Sequence, residues 1–258
     1  MDQKKELRCK LISNFINKIN PDIILNQEIF NWNFKDNKWA NIMQNSFNKK
    51  YVKCKSDIVN CKLTNNGLYT WIRDSANIDI ISTKFINCNR GRLSFIGIIR
   101  DNGFLHTKIY IKNIDKHIHI FNVHMLSNEC NCAKKRYEKL RRNCINQIME
   151  YIEININEND KWVLGGDFNC NVYNFINIIK EKSLIYDIDT FKKIKSTFLN
   201  YSTINTNIWF AKGTNEEYID HIHTNADMNY IPYSSKYCIS KDAEYLSDHF
   251  PVITDIKL

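Results

Sequence analysis

Apolar residues recur at steps of three and four near the start of the chain, as they do along one buried face of a helix. Over residues 6–19 these positions are Leu7, Leu11, Ile12, Phe15, Ile16 and Ile19. Asn20 and Pro21 follow and predict the end of the helix, because proline cannot continue it. The next letters, DIILNQE, predict a short buried strand that ends in the polar residues Asn26, Gln27 and Glu28.

The middle of the chain changes to strand-like runs that are rich in β-branched and aromatic residues. Between about residues 50 and 125 these runs are GLYTWIR, NIDIIST, LSFIGIIR, HTKIYIKN and KHIHIFNVHM. Asparagine, aspartate and glycine separate them. This pattern predicts a set of antiparallel strands.

The second half returns to helical spacing in KKRYEKLRRNCINQIMEYIEI, which has one apolar side and a strongly basic opposite side. The apolar side holds Tyr137, Leu140, Cys144, Ile148 and Ile152. A strand in KWVLGGDFN, a helix near NVYNFINIIKEKSL and two further strands in EYIDHIHTN and VITDIKL complete the pattern. This mixed order favours an α/β (α+β) architecture, in which two packed sheets carry helices on the outside.

Composition adds information about domains and partners. The 258 residues include only seven glycines and three prolines, so no flexible linker is indicated and we predict a single domain over residues 1–258. Lys and Arg number 36 against 28 Asp and Glu, a net charge of +8, which favours anionic partners such as nucleic acid or a phospholipid membrane surface.

The chain offers no sequence signal for secretion or membrane insertion. Its first residues, MDQKKELRCK, lack the apolar stretch of a secretion signal, and no apolar run is long enough to span a bilayer. The nine cysteines include no paired CxxC modules, which favours reduced, buried thiols. We therefore expect a soluble intracellular monomer, cytoplasmic or nuclear.

Four short polar motifs fall at the ends of predicted strands, in the order NQE, NVH, GGDFN and SDH. Each motif alone is weak evidence, and GGDFN is compatible with a simple tight turn, since glycine, aspartate and asparagine are common in turns. In an extended segment, however, Asp167 and Asn169 would point to the same face. Gly165 and Gly166 would then let a substrate come close to the backbone.

The four motifs in this order, with YIDHI between the last two, resemble the endonuclease/exonuclease/phosphatase superfamily, which has the DNase I-like fold. The resemblance runs from Pro21 to the C-terminus and implies a two-layer β-sandwich flanked by helices. A tight turn at GGDFN would not account for the other motifs. The superfamily normally begins with a strand that ends in a site-lining asparagine. Only MDQKKELR precedes the first helix here and it contains no apolar run, so we expect that strand to be absent.

Hydrolysis of a phosphodiester requires neutralisation of charge on the phosphate, an oriented water for in-line attack and protonation of the leaving oxygen. The resemblance implies that a divalent cation, Mg²⁺ or alternatively Mn²⁺, supplies the first of these. Glu28 is the best candidate to bind it, because hard cations prefer oxygen ligands. The resemblance also implies that Asp167 orients or activates the water and that Asn169 contacts the phosphate.

The last two motifs imply a histidine and its partners. His249, in SDHFPV, resembles the superfamily's general-base or transition-state histidine, and Asp248 matches a position that assists the metal or the histidine. Asp220, in YIDHI, matches an aspartate that orients a catalytic histidine. Strand alternation would leave His221 on the opposite face from Asp220, so we assign no catalytic role to His221 or His223.

His124, at the end of NVH, separates branches of the superfamily. DNase I-like nucleases and the related sphingomyelinases carry a histidine at the end of this strand, whereas apurinic-site endonucleases typically have a tyrosine in that region. The resemblance therefore implies that His124 is a general acid for the leaving oxygen. It argues against a DNA-repair endonuclease of the apurinic-site type.

The substrate remains open, and we favour nucleic acid. The net charge and the basic helix after His124 fit phosphate contacts, although such a helix face is as often simply solvated. The basic candidates are Lys134, Lys135, Arg136, Arg141 and Arg142. A sphingomyelinase-like phospholipase C would use the same catalytic set, with Trp32, Phe34 and Trp39 as candidate membrane contacts. A catalytically silent binding protein is the third alternative, supported by the missing strand and opposed by the complete set of polar residues.

Overall fold

A computed structural model describes residues 2–30, 38–55, 67–88, 103–127, 134–186, 195–196, 219–229, 249 and 252–258. The run LSFIGIIR and Asp248, for which the sequence made predictions, lie outside these residues.

Helices in the described part of the chain are α1 (Asp2–Ile19), α2 (Lys38–Ser46), α3 (Lys134–Asn155) and α4 (Val172–Tyr186). Helical spacing predicted α1, α3 and α4. It did not predict α2, which is only nine residues long and buries only Ala40 and Met43, too few positions to establish a period. Within the described residues, no helix combines the length and the apolar character needed to cross a membrane.

The strands form a small sheet, a large sheet and a separate pair. The small antiparallel sheet has the order β1-β3-β2 and consists of β1 (Ile23–Asn26), β2 (Tyr51–Cys54) and β3 (Tyr69–Arg73). The large sheet has the order β4-β5-β6-β7-β9-β8. Its strands are β4 (Ile78–Asn87), β5 (Gly103–Ile111), β6 (Lys116–His124), β7 (Lys161–Asp167), β8 (Lys195–Ser196) and β9 (Asp220–Thr224). The pair comprises β10 (Asp227–Asn229) and β11 (Asp255–Lys257).

Apolar side chains hold these elements together in layers. Both sheets contribute to the layer between them, which includes Ile72, Ile109, Ile118, Ile120 and Val163. Helices α1 and α2 cover the other face of the small sheet around Ile16, Met43 and Trp71. Helices α3 and α4 cover the other face of the large sheet around Phe121, Ile148, Trp162 and Phe175. The predicted two-layer sandwich with helices on the outside is therefore confirmed.

Several histidines lie on the helix-covered face of the large sheet. The ring of His221 stacks on Phe168 with centroids 3.9 Å apart, on the opposite face of β9 from Asp220, as alternation predicted. On the adjacent strands β5 and β6, Nε2 of His106 lies 2.9 Å from Nδ1 of His119. These imidazoles are buried, and we therefore assign them a role in packing the core.

The buried imidazoles are expected to make folding stability depend on pH. Burial lowers the pKa of His106 to about 4 and that of His221 to about 3. The pKa of a histidine in the unfolded chain is about 6.5. Below about pH 6.5 the unfolded chain then binds more protons than the folded chain. The free energy of unfolding should fall by about 1.4 kcal/mol per pH unit for each imidazole, until its lowered pKa is reached.

Urea unfolding at about pH 7.5 and about pH 5.5 measures this loss. The His221→Gln variant removes one buried imidazole and should show a shallower decline over the same interval. An equal free energy of unfolding at both pH values in the unaltered protein would contradict the prediction.

Candidate active site

Three polar side chains lie side by side at one edge of the large sheet. His124 ends β6, Asp167 ends β7 and Asp220 begins β9. In the strand register His124 pairs with Asp167, and Asp167 pairs with Asp220. Because β6 and β7 are parallel, their C-terminal ends meet at this edge. Alternation places the three residues on the same face as Ile120 and Val163, toward the layer between the sheets.

Glu28 reaches this row from the small sheet. It follows β1 closely and has a left-handed backbone conformation, with φ of 60°. Its Oε1 lies 3.7 Å from Nε2 of His124, and Oδ2 of Asp167 lies 3.6 Å from the same nitrogen. The Glu28 side chain is 61% exposed, whereas that of His124 is 7% exposed. A buried imidazole therefore lies between two carboxylates, one of them open to solvent, where it can exchange a proton with a bound molecule.

A second imidazole is held by Asp220. Nδ1 of His249 lies 2.7 Å from Oδ2 of Asp220, and the two residues are 29 positions apart in the chain. When the carboxylate accepts the hydrogen bond from Nδ1–H, it fixes the tautomer and makes Nε2 the basic nitrogen. The structure thus brings together the two residues for which the sequence implied such a pair.

Asp167 is a buried carboxylate beside a second carboxylate. Its burial and the negative charge of Asp220 raise its pKa well above the usual range. Ligand atoms of Asp167, Asp220 and His249 all lie within 4.8 Å of one another. A cation would relieve the repulsion between the carboxylates, and carboxylate oxygens are the ligands that Mg²⁺ prefers. These residues fit a divalent cation, and the exposed carboxylate of Glu28 is a further oxygen donor at the same edge.

Asn169 closes a tight turn directly after β7. Its φ is 48°, and its backbone N–H donates to Oδ1 of Asp167 at 2.7 Å. Its Nδ2 donates to Oδ2 of Asp167 at 3.0 Å and to the carbonyl of Met125 at 2.9 Å. Asp167 and Asn169 are close, as predicted, but the turn and not strand alternation produces the contact. Because both Nδ2 hydrogens bind protein acceptors, a contact between Asn169 and phosphate stays a prediction.

The two glycines before Asp167 are required by packing of the protein itself. A Cβ atom at Gly165 would lie 2.9 Å from Cδ1 of Leu25 in the opposite sheet. At Gly166, where φ is 138°, it would lie 2.1 Å from the carbonyl oxygen of Val123. The prediction that these glycines let a substrate approach is therefore wrong, because neighbouring strands occupy the space.

The basic residues of α3 divide into exposed and buried positions. Lys135 is exposed, and the side chain of Lys134 lies outside the described part of the structure. Arg141 is only 5% exposed, and its Nη1 donates to the carbonyl of Leu126 at 2.8 Å. It follows Tyr137 by four residues, a spacing that assigns it to the buried side of the helix. The prediction that Arg141 belongs to an exposed phosphate-binding surface is wrong, because its guanidinium supports the segment after β6.

Two polar residues near this edge, Gln27 in the motif NQE and Asn122 in the motif NVH, were given no role by the sequence analysis. Nε2 of Gln27 donates to Oδ1 of Asn122 at 2.8 Å, and Asn122 is fully buried. The available signal was a polar residue inside an otherwise apolar strand, in the run IFNV, since a buried amide requires hydrogen-bond partners.

Comparison with known sequences finds distant relatives. No family model matches the chain. An uncharacterized protein of Acanthamoeba polyphaga mimivirus is 26% identical over 272 residues, which cover 97% of this chain and 91% of that protein. A sphingomyelinase C of Bacillus cereus is 27% identical over 186 residues, which cover 62% of this chain and 54% of the sphingomyelinase. The chain therefore spans little more than half the length of that relative.

Comparison with solved structures identifies the fold. An endonuclease/exonuclease/phosphatase from Bacteroides vulgatus superimposes with a TM-score of 0.65 at 16% identity, over 97% of this chain and 90% of that one. The beta toxin of Staphylococcus aureus, in a structure with bound magnesium ions, superimposes with a TM-score of 0.63 at 17% identity, over 86% of this chain and 77% of the toxin. The chain therefore shares the fold of these structures, the DNase I-like fold.

Proposed function

We propose that this protein is a divalent-metal-dependent phosphodiester hydrolase, and specifically a nuclease that acts on DNA or RNA. The observation that carries the proposal is the arrangement of His249 on Asp220 beside the buried Asp167, with ligand atoms within 4.8 Å of one another. His124 lies 3.6 Å from Asp167 on the adjacent strand. The arrangement therefore combines an oriented base, a carboxylate and a second imidazole at one edge of the sheet.

The proposed cation is Mg²⁺, with Mn²⁺ as an alternative. When bound, it would neutralise charge on the phosphate oxygens during the reaction. Glu28 and Asp248 are the ligands that we propose. Glu28 and the buried Asp167 share His124 as a neighbour, since Nε2 of His124 lies 3.7 Å from Glu28 and 3.6 Å from Asp167. The magnesium ions in the beta toxin structure support this choice of metal by analogy of fold.

The chain's own residues would move the protons. Asp167 accepts a hydrogen bond from the attacking water and orients it toward phosphorus, and Nε2 of His249 accepts the proton that the water loses. Asp220 stabilises the resulting imidazolium through Nδ1–H. As the new P–O bond forms, the bond to the leaving oxygen breaks, and His124 donates a proton to that oxygen. The products are a phosphate monoester and an alcohol.

Basic side chains on α3 favour nucleic acid as the substrate. Lys135, Arg136 and Lys139 are exposed on this helix, and the whole chain has a net charge of +8. Such side chains can bind successive phosphates of a polymer, and they release counterions when they do so. Cleavage of a nucleic acid should therefore weaken steeply as the salt concentration rises.

A sphingomyelinase-like phospholipase C is the alternative, favoured by the 27% identity to a sphingomyelinase C over 186 residues. It would need a membrane-contacting surface. Of the aromatic candidates, Trp39 lies at the start of α2 beside Lys5 and Lys38, whose ammonium groups lie 5.9 and 5.1 Å from its ring. Trp32 and Phe34 lie outside the described residues.

The deciding experiment supplies the purified protein and Mg²⁺ with plasmid DNA, RNA and sphingomyelin vesicles in parallel. The His249→Ala protein serves as the blank for contaminating enzymes. Cleavage of DNA or RNA by the unaltered protein alone would support the nuclease, and cleavage of sphingomyelin alone would support the alternative. No cleavage of any of the three by the folded protein would contradict both, and would favour a binding protein.

Replacing Glu28 with glutamine is expected to raise the Mg²⁺ concentration for half-maximal rate by about tenfold or more, because an amide oxygen binds a hard cation less tightly than a carboxylate. The side chain is 61% exposed, so the fold should be unaffected. A titration of rate against Mg²⁺ measures the change, with Glu153→Gln, at another exposed position on α3, as the control. An unchanged Mg²⁺ requirement would place the ion elsewhere.

A further inference from the structure

We infer that Asn122 is a positioning residue that holds Glu28 in place for metal binding. Asn122 lies on β6 of the large sheet and acts through the C-terminal end of β1 in the small sheet. The inference rests on the proposed role of Glu28 as a metal ligand. In this proposal Asn122 contacts neither the metal ligands nor the reacting phosphate. Its effect is transmitted by hydrogen bonds to the two residues that precede Glu28.

The amide of Asn122 uses both its donor and its acceptor across the gap between the sheets. Nδ2 donates to the carbonyl of Asn26 at 3.1 Å and to that of Tyr69 at 2.9 Å. Oδ1 accepts from Nε2 of Gln27 at 2.8 Å. One side chain of β6 therefore binds the end of β1 at two successive residues and the start of β3 as well.

This amide stands in an apolar layer, which makes its contacts informative. Asn122 is 0% exposed, and Ile118 and Ile120 on the same face of β6 belong to the apolar layer between the sheets. Burial of an amide is unfavourable unless its hydrogen bonds are made. An aliphatic residue would be buried here with a smaller desolvation free energy. The amide therefore has a role that depends on its hydrogen bonds and that an apolar side chain could not fulfil.

Asn26 is bound from a second direction. Its Oδ1 accepts from Nε1 of Trp71, a fully buried side chain of β3, at 2.8 Å. Gln27 occupies space that exists because Gly166 has no side chain, since a Cβ atom there would lie 3.1 Å from Nε2 of Gln27. The last two residues before Glu28 are therefore held by hydrogen bonds to side chains of β3 and β6, and Gln27 lies close to Gly166 of β7.

The chain direction changes at Glu28 itself. Its φ of 60° is unfavourable for a residue with a side chain, and such a conformation persists only where the surroundings enforce it. On the far side of Glu28, the backbone N–H of Ile29 donates to the carbonyl of Gly67 at 3.0 Å. Asn122 supplies the constraint on the near side. Together the two constraints direct the carboxylate of Glu28 toward His124, 3.7 Å away.

The test measures Mg²⁺ binding without substrate, as the rise in melting temperature of the full-length protein during a Mg²⁺ titration. Asn122→Leu keeps the size of the side chain and removes its hydrogen bonds. Gln27→Leu removes one partner of the same amide at a half-buried position, so it reports on the inference even if Asn122→Leu does not fold. Ile118→Val, on the same face of β6, is the control for a general loss of core stability.

We expect Asn122→Leu and Gln27→Leu to raise the Mg²⁺ concentration for the half-maximal rise by about tenfold, as removal of a residue that supports a metal ligand commonly does. Ile118→Val should leave that concentration unchanged. In a Glu28→Gln background, Asn122→Leu should cause no further shift, because its target is already gone. The hydrolysis rate at saturating Mg²⁺ should change much less than the Mg²⁺ affinity.

Three results would overturn the inference, and the first two distinguish it from the proposed function. If Glu28→Gln shifts the Mg²⁺ titration but Asn122→Leu and Gln27→Leu do not, Asn122 serves the fold alone and the proposed function stands. If Glu28→Gln leaves the titration unchanged, the proposed metal role of Glu28 fails, and the inference fails with it. A full additional shift in the double variant would also contradict a route through Glu28.

Discussion

Replacement of His249 with alanine is expected to lower the rate of phosphodiester hydrolysis by about 10²–10⁴-fold, the range associated with loss of a general acid or base. The reason is its contact with Asp220, 2.7 Å from Nδ1, which makes Nε2 the nitrogen that exchanges a proton. The His249 side chain is 24% exposed, so the fold should survive the change. Initial rates at saturating Mg²⁺ and a circular dichroism melt measure the two effects separately.

Two further variants make this result specific. Asp220→Asn keeps the shape of the partner but removes its charge, and it should also cause a large loss of rate, because the tautomer of His249 is no longer fixed. His117→Ala removes an imidazole near the other end of β6, beside Tyr110, and should leave the rate near that of the unaltered protein. If His249→Ala retained more than about a tenth of the rate, His249 would be excluded from the chemistry.

Replacement of Asp167 with asparagine is expected to lower activity by at least about a hundredfold while it raises the thermal stability of the metal-free protein. Burial and the charge of Asp220 raise the pKa of Asp167 well above its usual range. When folding raises the pKa of a carboxyl group, the free energy of unfolding falls as the pH rises from the unfolded-state pKa through the folded-state pKa. Asparagine carries no charge at any pH. Its oxygen can still accept from the backbone N–H of Asn169, and only the hydrogen bond from Nδ2 of Asn169 is lost.

The pH dependence distinguishes this explanation from a general packing effect. In the absence of metal, the gain in melting temperature should be present at about pH 8 and should disappear below about pH 4, where Asp167 is protonated in both states. Addition of Mg²⁺ should stabilise the unaltered protein more than the variant, because a cation relieves the repulsion between Asp167 and Asp220 that the variant lacks. If the metal-free asparagine variant melted below the unaltered protein at about pH 8, the repulsion between Asp167 and Asp220 would not be the dominant effect.

Much of the fold was accessible from periodicity. The apolar residues of α3 and the aliphatic residues of β6 and β7 repeat at helical and strand spacing because each element buries one face or both. Helix α2 was not predicted, because nine residues with two buried side chains do not establish a period. Arg141 shows the opposite error, because its charge suggested exposure although its spacing from Tyr137 placed it on the buried side.

The sequence by itself determined which polar residues stand at the ends of strands, and the resemblance carried by the ordered motifs implied that His124, Asp167 and Asp220 belong to one site. Local patterns suffice for this, because strand alternation and strand ends depend on neighbouring residues. Only the tertiary structure decided the geometry: Glu28 approaches His124 from the other sheet, and His249 lies within hydrogen-bond distance of an aspartate 29 positions away. Such contacts depend on how two sheets pack and on turns at positive φ, which are set by distant partners such as Asn122 and leave no periodic signal in the chain.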